Sequence, residues 1–261
     1  RQPYPNIVMN SKGQITIFVV LGIVILASVA IGYYIMASAN QSAADTETKI
    51  VSKLPADVAE VRTAISECVQ YSLEDAIAQA GLFGGYTEAK TDALFTGNDF
   101  ANYAFHNGRK TLPSLQEIQN NIAAYMAGTI PACVDTENEK FKITLPTPEA
   151  KVEISDRKVF ADVDYKVLLK SGDSSFTLSD PFKVESIVKF SSIYNAASKI
   201  AAKAAESPDK INVDYLLTLG EEIDVIPFDE KNVIYRIPDK SATLNSENGD
   251  ASFVMIFATM A

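Results

Sequence analysis

The chain has 261 residues, 47% of them hydrophobic and 21% charged, with a formal net charge of −10. All 33 acidic residues follow position 38, with 21 of the 23 lysines and arginines, so that part carries 21 − 33 = −12. Such a surface argues against nucleic acid and anionic lipid headgroups as partners, because both are bound through positive charge. About 220 residues beyond position 38 are enough for one large domain or two small ones with a real core.

Residues 1–13 read as a cytoplasmic tail or leader in which Arg1 and Lys12 are the charged side chains. From Ile15 to Ser38 the 24 residues carry no charge. At about 1.5 Å per residue they reach roughly 36 Å as a helix, enough to cross a ~30 Å hydrocarbon core with some tilt. A transmembrane helix is therefore expected over 14–38, with Ile15, Phe18, Leu21 and Ile25 in contact with membrane lipid. Gly22 and Gly32 are ordinary in membrane helices, and Tyr33 and Tyr34 stand where an aromatic belt forms. The competing reading is a secretory signal peptide, for which Ala37-Ser38-Ala39 offers a cleavage site. Lys12 close before the run, against Lys49 and Lys53 farther beyond it, puts the tail inside and the rest of the chain outside. The chain opens on Arg1, so either Met9 is the natural start or the sequence is a piece of a longer one; the apolar ending ASFVMIFATMA allows the same at the other terminus.

Residues 39–55 read as a small, polar stalk with a glycosylation sequon at Asn40-Gln41-Ser42. Residues 56–145 read as a helical part. After Pro55, Val58, Val61, Ile65, Cys68, Ser72, Ala76 and Ala80 recur at spacings of three and four, and Gly81 is placed to end the helix. The glycines of LFGGY predict a tight turn. Ser114 with Glu117 has capping-box spacing, and Leu115, Ile118, Ile122, Tyr125 and Met126 supply a second helical face ending at Gly128. Residues 146–261 read as an α+β part. Val159, Ala161, Val163, Tyr165, Val167 and Leu169 alternate over eleven residues and predict one long strand, after a shorter one at KVEIS. FTLSDPFKVESIVKF predicts further strands interrupted at Pro181; Ser191–Ala205 and Val213–Leu219 predict helices. EIDVIPF, NVIYRIP and ASFVMIFA predict three short strands, the last two joined by a polar loop. The expected fold is thus α+β: a transmembrane helix, a helical first half, and an antiparallel sheet with packed helices in the second.

Cys68 and Cys133 are the two cysteines. In an oxidising compartment they can close a loop of about 65 residues, worth roughly 4 kcal/mol on the chain-entropy model. The bland alternative is two buried thiols. His106 is the single histidine, which excludes a two-histidine zinc motif. Its setting in FHNGRK predicts an exposed turn rather than a Cys–His nucleophile pair. Nucleophile-elbow, phosphate-loop, dinucleotide and C-x-x-C motifs are absent from the sequence. Asp162 and Asp164 share a polar strand face but offer too few oxygens for calcium. No cofactor or catalytic residue is assigned.

Ser11-Lys12-Gly13-Gln14-Ile15-Thr16-Ile17-Phe18 resembles the N-terminal signature of archaeal type IV pilin-like proteins with class III signal peptides. That resemblance implies cleavage between Gly13 and Gln14 and packing of the apolar helix in a filament core. The sequence departs from it at Phe18, where many such pilins carry a glutamate. The same N-terminus, followed by Glu67-Cys68-Val69, Gly81-Leu82-Phe83-Gly84-Gly85-Tyr86, Pro113-Ser114-Leu115 and Pro131-Ala132-Cys133, resembles uncharacterised single-span membrane proteins of small-genome archaea. It implies a surface-exposed, membrane-anchored architecture and no activity.

The leading expectation is a single-pass cell-membrane protein with a non-enzymatic, extracytoplasmic binding or structural role, through an envelope protein or self-association. A pilin-like filament subunit is the first alternative. A surface carboxylate-dependent hydrolase is the second.

Overall fold

In the computed structural model, residues 43–260 are described apart from 98, 137, 208–209 and 247–248. The expected span over 14–38, the processing site Lys12-Gly13-Gln14 and the Asn40 sequon lie outside the described residues. Among the described residues no helix is long and apolar enough to cross a membrane.

Part of the expected polar stalk is a helix, α1 (Ala43–Val51), with Asp45 in its first turn and Lys49 in its last, both complementing the helix dipole. Helix α2 (Ala56–Leu82) follows the predicted stripe, and Val58, Val61, Ile65, Val69, Leu73, Ala76, Ile77 and Ala80 are all buried. Gly81 does not end it. A Cβ at Gly81 would lie 2.4 Å from the Val254 carbonyl oxygen and 2.7 Å from the Phe253 ring, so this glycine admits a strand against the helix. The stop falls just beyond, where Gly84 and Gly85 take φ of 60° and 96° and Phe83 bridges to Tyr86. Helix α3 (Leu115–Cys133) starts on the expected capping box: the Ser114 hydroxyl accepts from the Glu117 N–H, and the Glu117 carboxylate accepts from the Ser114 N–H at 2.7 Å. The Ser114 N–H and hydroxyl both donate to that carboxylate and hold the Glu117 pKa below its ordinary value. The helix runs past Gly128, where a prediction from sequence would stop it. Pro131 sits in the last turn, where its missing N–H removes one bond near the helix end.

The first half is not purely helical. It contributes β1 (Leu94–Phe95), β2 (Phe100–Ala101), β3 (Tyr103–His106) and β4 (Arg109–Lys110), all unforeseen because each is four residues or fewer. After α3 come β5 (Lys142–Thr144), β6 (Glu149–Ile154), β7 (Lys158–Asp164), β8 (Val167–Ser171), β9 (Ser174–Leu178) and β10 (Phe182–Ile187). Helices α4 (Phe190–Glu206) and α5 (Val213–Leu217) follow, then β11 (Asp224–Pro227), β12 (Asn232–Ser246) and β13 (Gly249–Met260). The strand orders are β10-β7-β6, β5-β8-β9 and β11-β12-β13-β3-β4, with a separate β1-β2 ribbon. Pairing is antiparallel except between β13 and β3. Strands β3 and β4 thus complete a sheet whose other members come from the end of the chain, and one hydrophobic cluster draws on both halves.

The alternation over Val159–Leu169 is real, yet it belongs to two strands. Val167 N–H donates to the Tyr165 carbonyl at 2.9 Å, a tight reversal that ends β7 and sends β8 into another sheet. Val163, Tyr165, Val167 and Leu169 stay buried on both sides of it, so the periodicity survives the break. Burial pushes the Tyr165 phenol up to about 12. The polar loop expected between β12 and β13 is itself paired: Thr243–Ser246 lie opposite Gly249–Ser252, after a register shift between Asp239 and Thr243. Asp239 pins that shift by accepting from the Lys189 and Ser241 N–H groups and the Ser241 hydroxyl. Burial opposes its charge, but these bonds outweigh burial and keep its pKa below the usual carboxylate range.

Gly81→Ala is expected to lower the unfolding free energy by about 1–3 kcal/mol through overpacking. Gly128→Ala, whose Cβ meets no atom within 4 Å, should raise it by up to about 1 kcal/mol. Urea denaturation of the two variants checks the difference in sign.

Candidate functional site

Cys68, midway along α2, and Cys133, the last residue of α3, are disulfide-bonded with Cα atoms 5.7 Å apart. The bond joins the helices at the place where the sequence alone could only offer it. It also consumes both thiols, so His106 has no cysteine to activate. His106 sits at the end of β3 in a hairpin turned by Asn107 and Gly108, at φ of 49° and 75°. Its ring stacks on Tyr103 at 4.2 Å and lies 3.3 Å from Asp92. Asp162 and Asp164 do share one face of β7, but lysines face them: Lys183 lies 3.7 Å from Asp162 and Lys166 lies 3.0 Å from Asp164. Among the described residues no group of three or more His, Cys, Asp or Glu is arranged to hold a metal.

The most constrained polar cluster was missed in the sequence. Arg62 follows Val58 by four positions, so it falls on the buried stripe of α2, and only 1% of its surface is exposed. Its Nε and Nη2 donate to the two Glu47 carboxylate oxygens at 2.7 and 2.9 Å. Its Nη1 donates to the Asp180 carbonyl at 3.0 Å and its Nη2 to the Pro181 carbonyl at 3.1 Å. The Phe182 ring lies under the guanidinium at 4.3 Å. One side chain therefore ties α1, α2 and the β9–β10 connection together. Helix α1 is the element nearest in sequence to the uncharged run, and this knot fixes it to the core.

The other buried carboxylates are also structural. Glu74 accepts from Gln70 at 2.6 Å and from the Asn245 side chain and N–H at 2.6 and 3.0 Å, joining α2 to β12. The Tyr125 hydroxyl donates to Asp75 at 2.5 Å, joining α3 to α2. Asn102 closes the loop after α2 by donating to the Phe83 and Glu88 carbonyls and accepting from the Lys90 N–H.

A cleft of about 230 Å³ lies between the end of α4, α5 and the β11–β12 turn. Ile200, Leu216, Tyr235 and Thr259 are its buried lining, while Lys203, Lys210 and Lys231 gather there with Asp229 and Glu230. Lys203 is paired to Glu206 at 2.8 Å and lies 5.7 Å from the Tyr215 ring centre. The lining has no histidine or cysteine, so what the cleft offers is charge and apolar contact rather than a nucleophile with its base.

Comparison with protein-family models, with curated proteins and with solved structures finds no match to this chain.

Arg62→Met is expected to destabilise the protein by about 3–5 kcal/mol, because Glu47 and two carbonyls lose their donor. Glu47→Gln, which keeps an acceptor, should cost less. Limited trypsin digestion provides a local readout: cleavage after Lys49 and Lys53 should accelerate in Arg62→Met before global unfolding.

Proposed function

We propose that this chain is a single-pass, membrane-anchored protein of the cell envelope, with its part beyond residue 42 outside the cytoplasm in a non-enzymatic binding or structural role. The carrying observation is the Cys68–Cys133 disulfide in a chain whose residues 15–38 bear no charge. A disulfide between two helices persists where the compartment is oxidising, and an uncharged run of that length anchors a chain in lipid. The use made of the buried and half-buried carboxylates supports a scaffold: Glu47, Glu74 and Asp239 each bind donors from another element. The hydrolase alternative draws no support from these groups.

Intact cells treated with protease should lose the part beyond residue 42 while cytoplasmic markers survive. The surviving chain in untreated cells should resist maleimide until it is reduced. Free Cys68 and Cys133 in freshly denatured native protein would overturn the extracytoplasmic assignment.

A pilin-like filament subunit is the second reading, favoured by Lys12-Gly13-Gln14 leading directly into the apolar run. Mass spectrometry of the native N-terminus separates the two. A chain that begins at Gln14 points to pilin-type processing; one that retains Lys12 and Gly13 is a permanent anchor.

A further inference from the structure

The cleft between the end of α4, α5 and the β11–β12 turn has three tiers. Its apolar walls are Ile200 and Ala204 of α4, Leu216 of α5 and Val233 of β12, with the Tyr215 ring beside them. Ile200 and Leu216 are buried and belong to the hydrophobic cluster, so the cleft opens directly onto the core. Its floor is the end of the five-stranded sheet, where Tyr235 of β12 and Thr259 of β13 are each 5% exposed. Its rim carries Lys203, Lys210 and Lys231 with Asp229 and Glu230.

The floor holds a hydrogen bond that the protein itself does not use. Thr259 is the hydrogen-bond partner of the Tyr235 phenol, and burial pushes that phenol up, so it keeps its proton. Two hydroxyls carry two protons, and a bond between them uses one. Neither side chain bonds to another group among the described residues, so the second O–H is left for whatever enters the cleft. A buried hydroxyl without an acceptor is destabilising, and an oxygen atom in the cleft relieves it.

The rim favours an anion. Asp229 already accepts from the Lys231 N–H, the Asn232 N–H and the Asn232 side chain, at 2.8, 2.7 and 2.8 Å. Glu206 holds Lys203 at 2.8 Å. Lys210 and Lys231 form no ion pair among the described residues, which leaves two ammonium groups against Glu230. An organic cation would meet both of them at the entrance. At about 230 Å³ the cleft is smaller than the roughly 300–1,000 Å³ of drug-sized sites, so its ligand has on the order of ten non-hydrogen atoms. The Tyr215 and Tyr235 rings offer such a ligand aromatic faces.

We propose that this cleft binds a small aromatic carboxylate, its carboxylate on Lys210 and Lys231 and an oxygen at its far end on the Tyr235–Thr259 hydroxyl pair. Such a ligand fills the non-enzymatic binding role proposed above and rests on that role, whichever side of the membrane the cleft faces.

The probe is para-hydroxyphenylpropanoate, which has a carboxylate at one end and a phenol at the other. Titrated calorimetrically into the full chain in mild detergent, it should bind at one saturable site. Phenylpropanoate lacks the far oxygen and should bind about threefold to tenfold more weakly. In Tyr235→Phe with Thr259→Val, which keeps shape and removes both hydroxyls, the two should bind alike. Lys210→Gln with Lys231→Gln should weaken the probe about tenfold. The cationic analogue, para-hydroxyphenylpropylamine, should not bind. Retention of the Cys68–Cys133 bond and of the parent circular dichroism shows that each variant is folded. Absence of saturable binding to the parent chain overturns the proposal. So does equal binding of the cationic analogue, a lysine double variant that binds as tightly as the parent, or discrimination that persists without the two hydroxyls. Surface protease and maleimide report where the chain lies, while calorimetry reports the cleft alone, so the two failures are distinguishable.

Discussion

A guanidinium buried to 1% exposure needs acceptors for its N–H groups and a counter-charge, and Arg62 finds both, its three nitrogens making four hydrogen bonds. Glu47 supplies the charge, Asp180 and Pro181 supply carbonyls, and Phe182 supplies a ring face. These partners lie 15 to about 120 residues away in sequence. The arrangement thus places α1, α2 and β10 relative to one another with little freedom, since moving any of them would strand a charge in a low-dielectric interior.

Helix α2 is the spine on which the other elements are hung. Cys68 bonds it to α3, Asp75 receives the Tyr125 hydroxyl from the same helix, and Glu74 holds Asn245 of β12. Gly81 then lets β13 approach its last turn closely enough that a methyl group would not fit. Four different chemistries are thus spaced along one helix: ion pair, disulfide, hydrogen bond and steric vacancy. Together they set its distances to α1, α3, β12 and β13.

A domain braced in this way holds its surfaces in fixed relation to one another. The cleft beside α4 is one of those surfaces. It gathers Lys203, Lys210 and Lys231 in a chain of net charge −10.

The sequence by itself determined the local elements whose signals are local. The period of α2, the Ser114–Glu117 box and the glycine turn at Gly84-Gly85 follow from spacing, capping and φ preference within a few residues. The uncharged run at Ile15–Ser38 and the two cysteines were equally legible, because charge and thiol count need no fold to be read. Tertiary structure decided what depends on partners remote in sequence. Arg62 looked like one more polar residue until Glu47 and the Asp180 carbonyl came to it. Gly81 looked like a helix stop until β13 occupied its missing side chain. The alternation through Tyr165 could not reveal a break, because both strands bury the same parity. Strands β3 and β4 were too short to carry a period, and only pairing with β13 and with each other makes them a sheet. Those outcomes turn on contact energies between distant segments, which a periodicity within one segment does not contain.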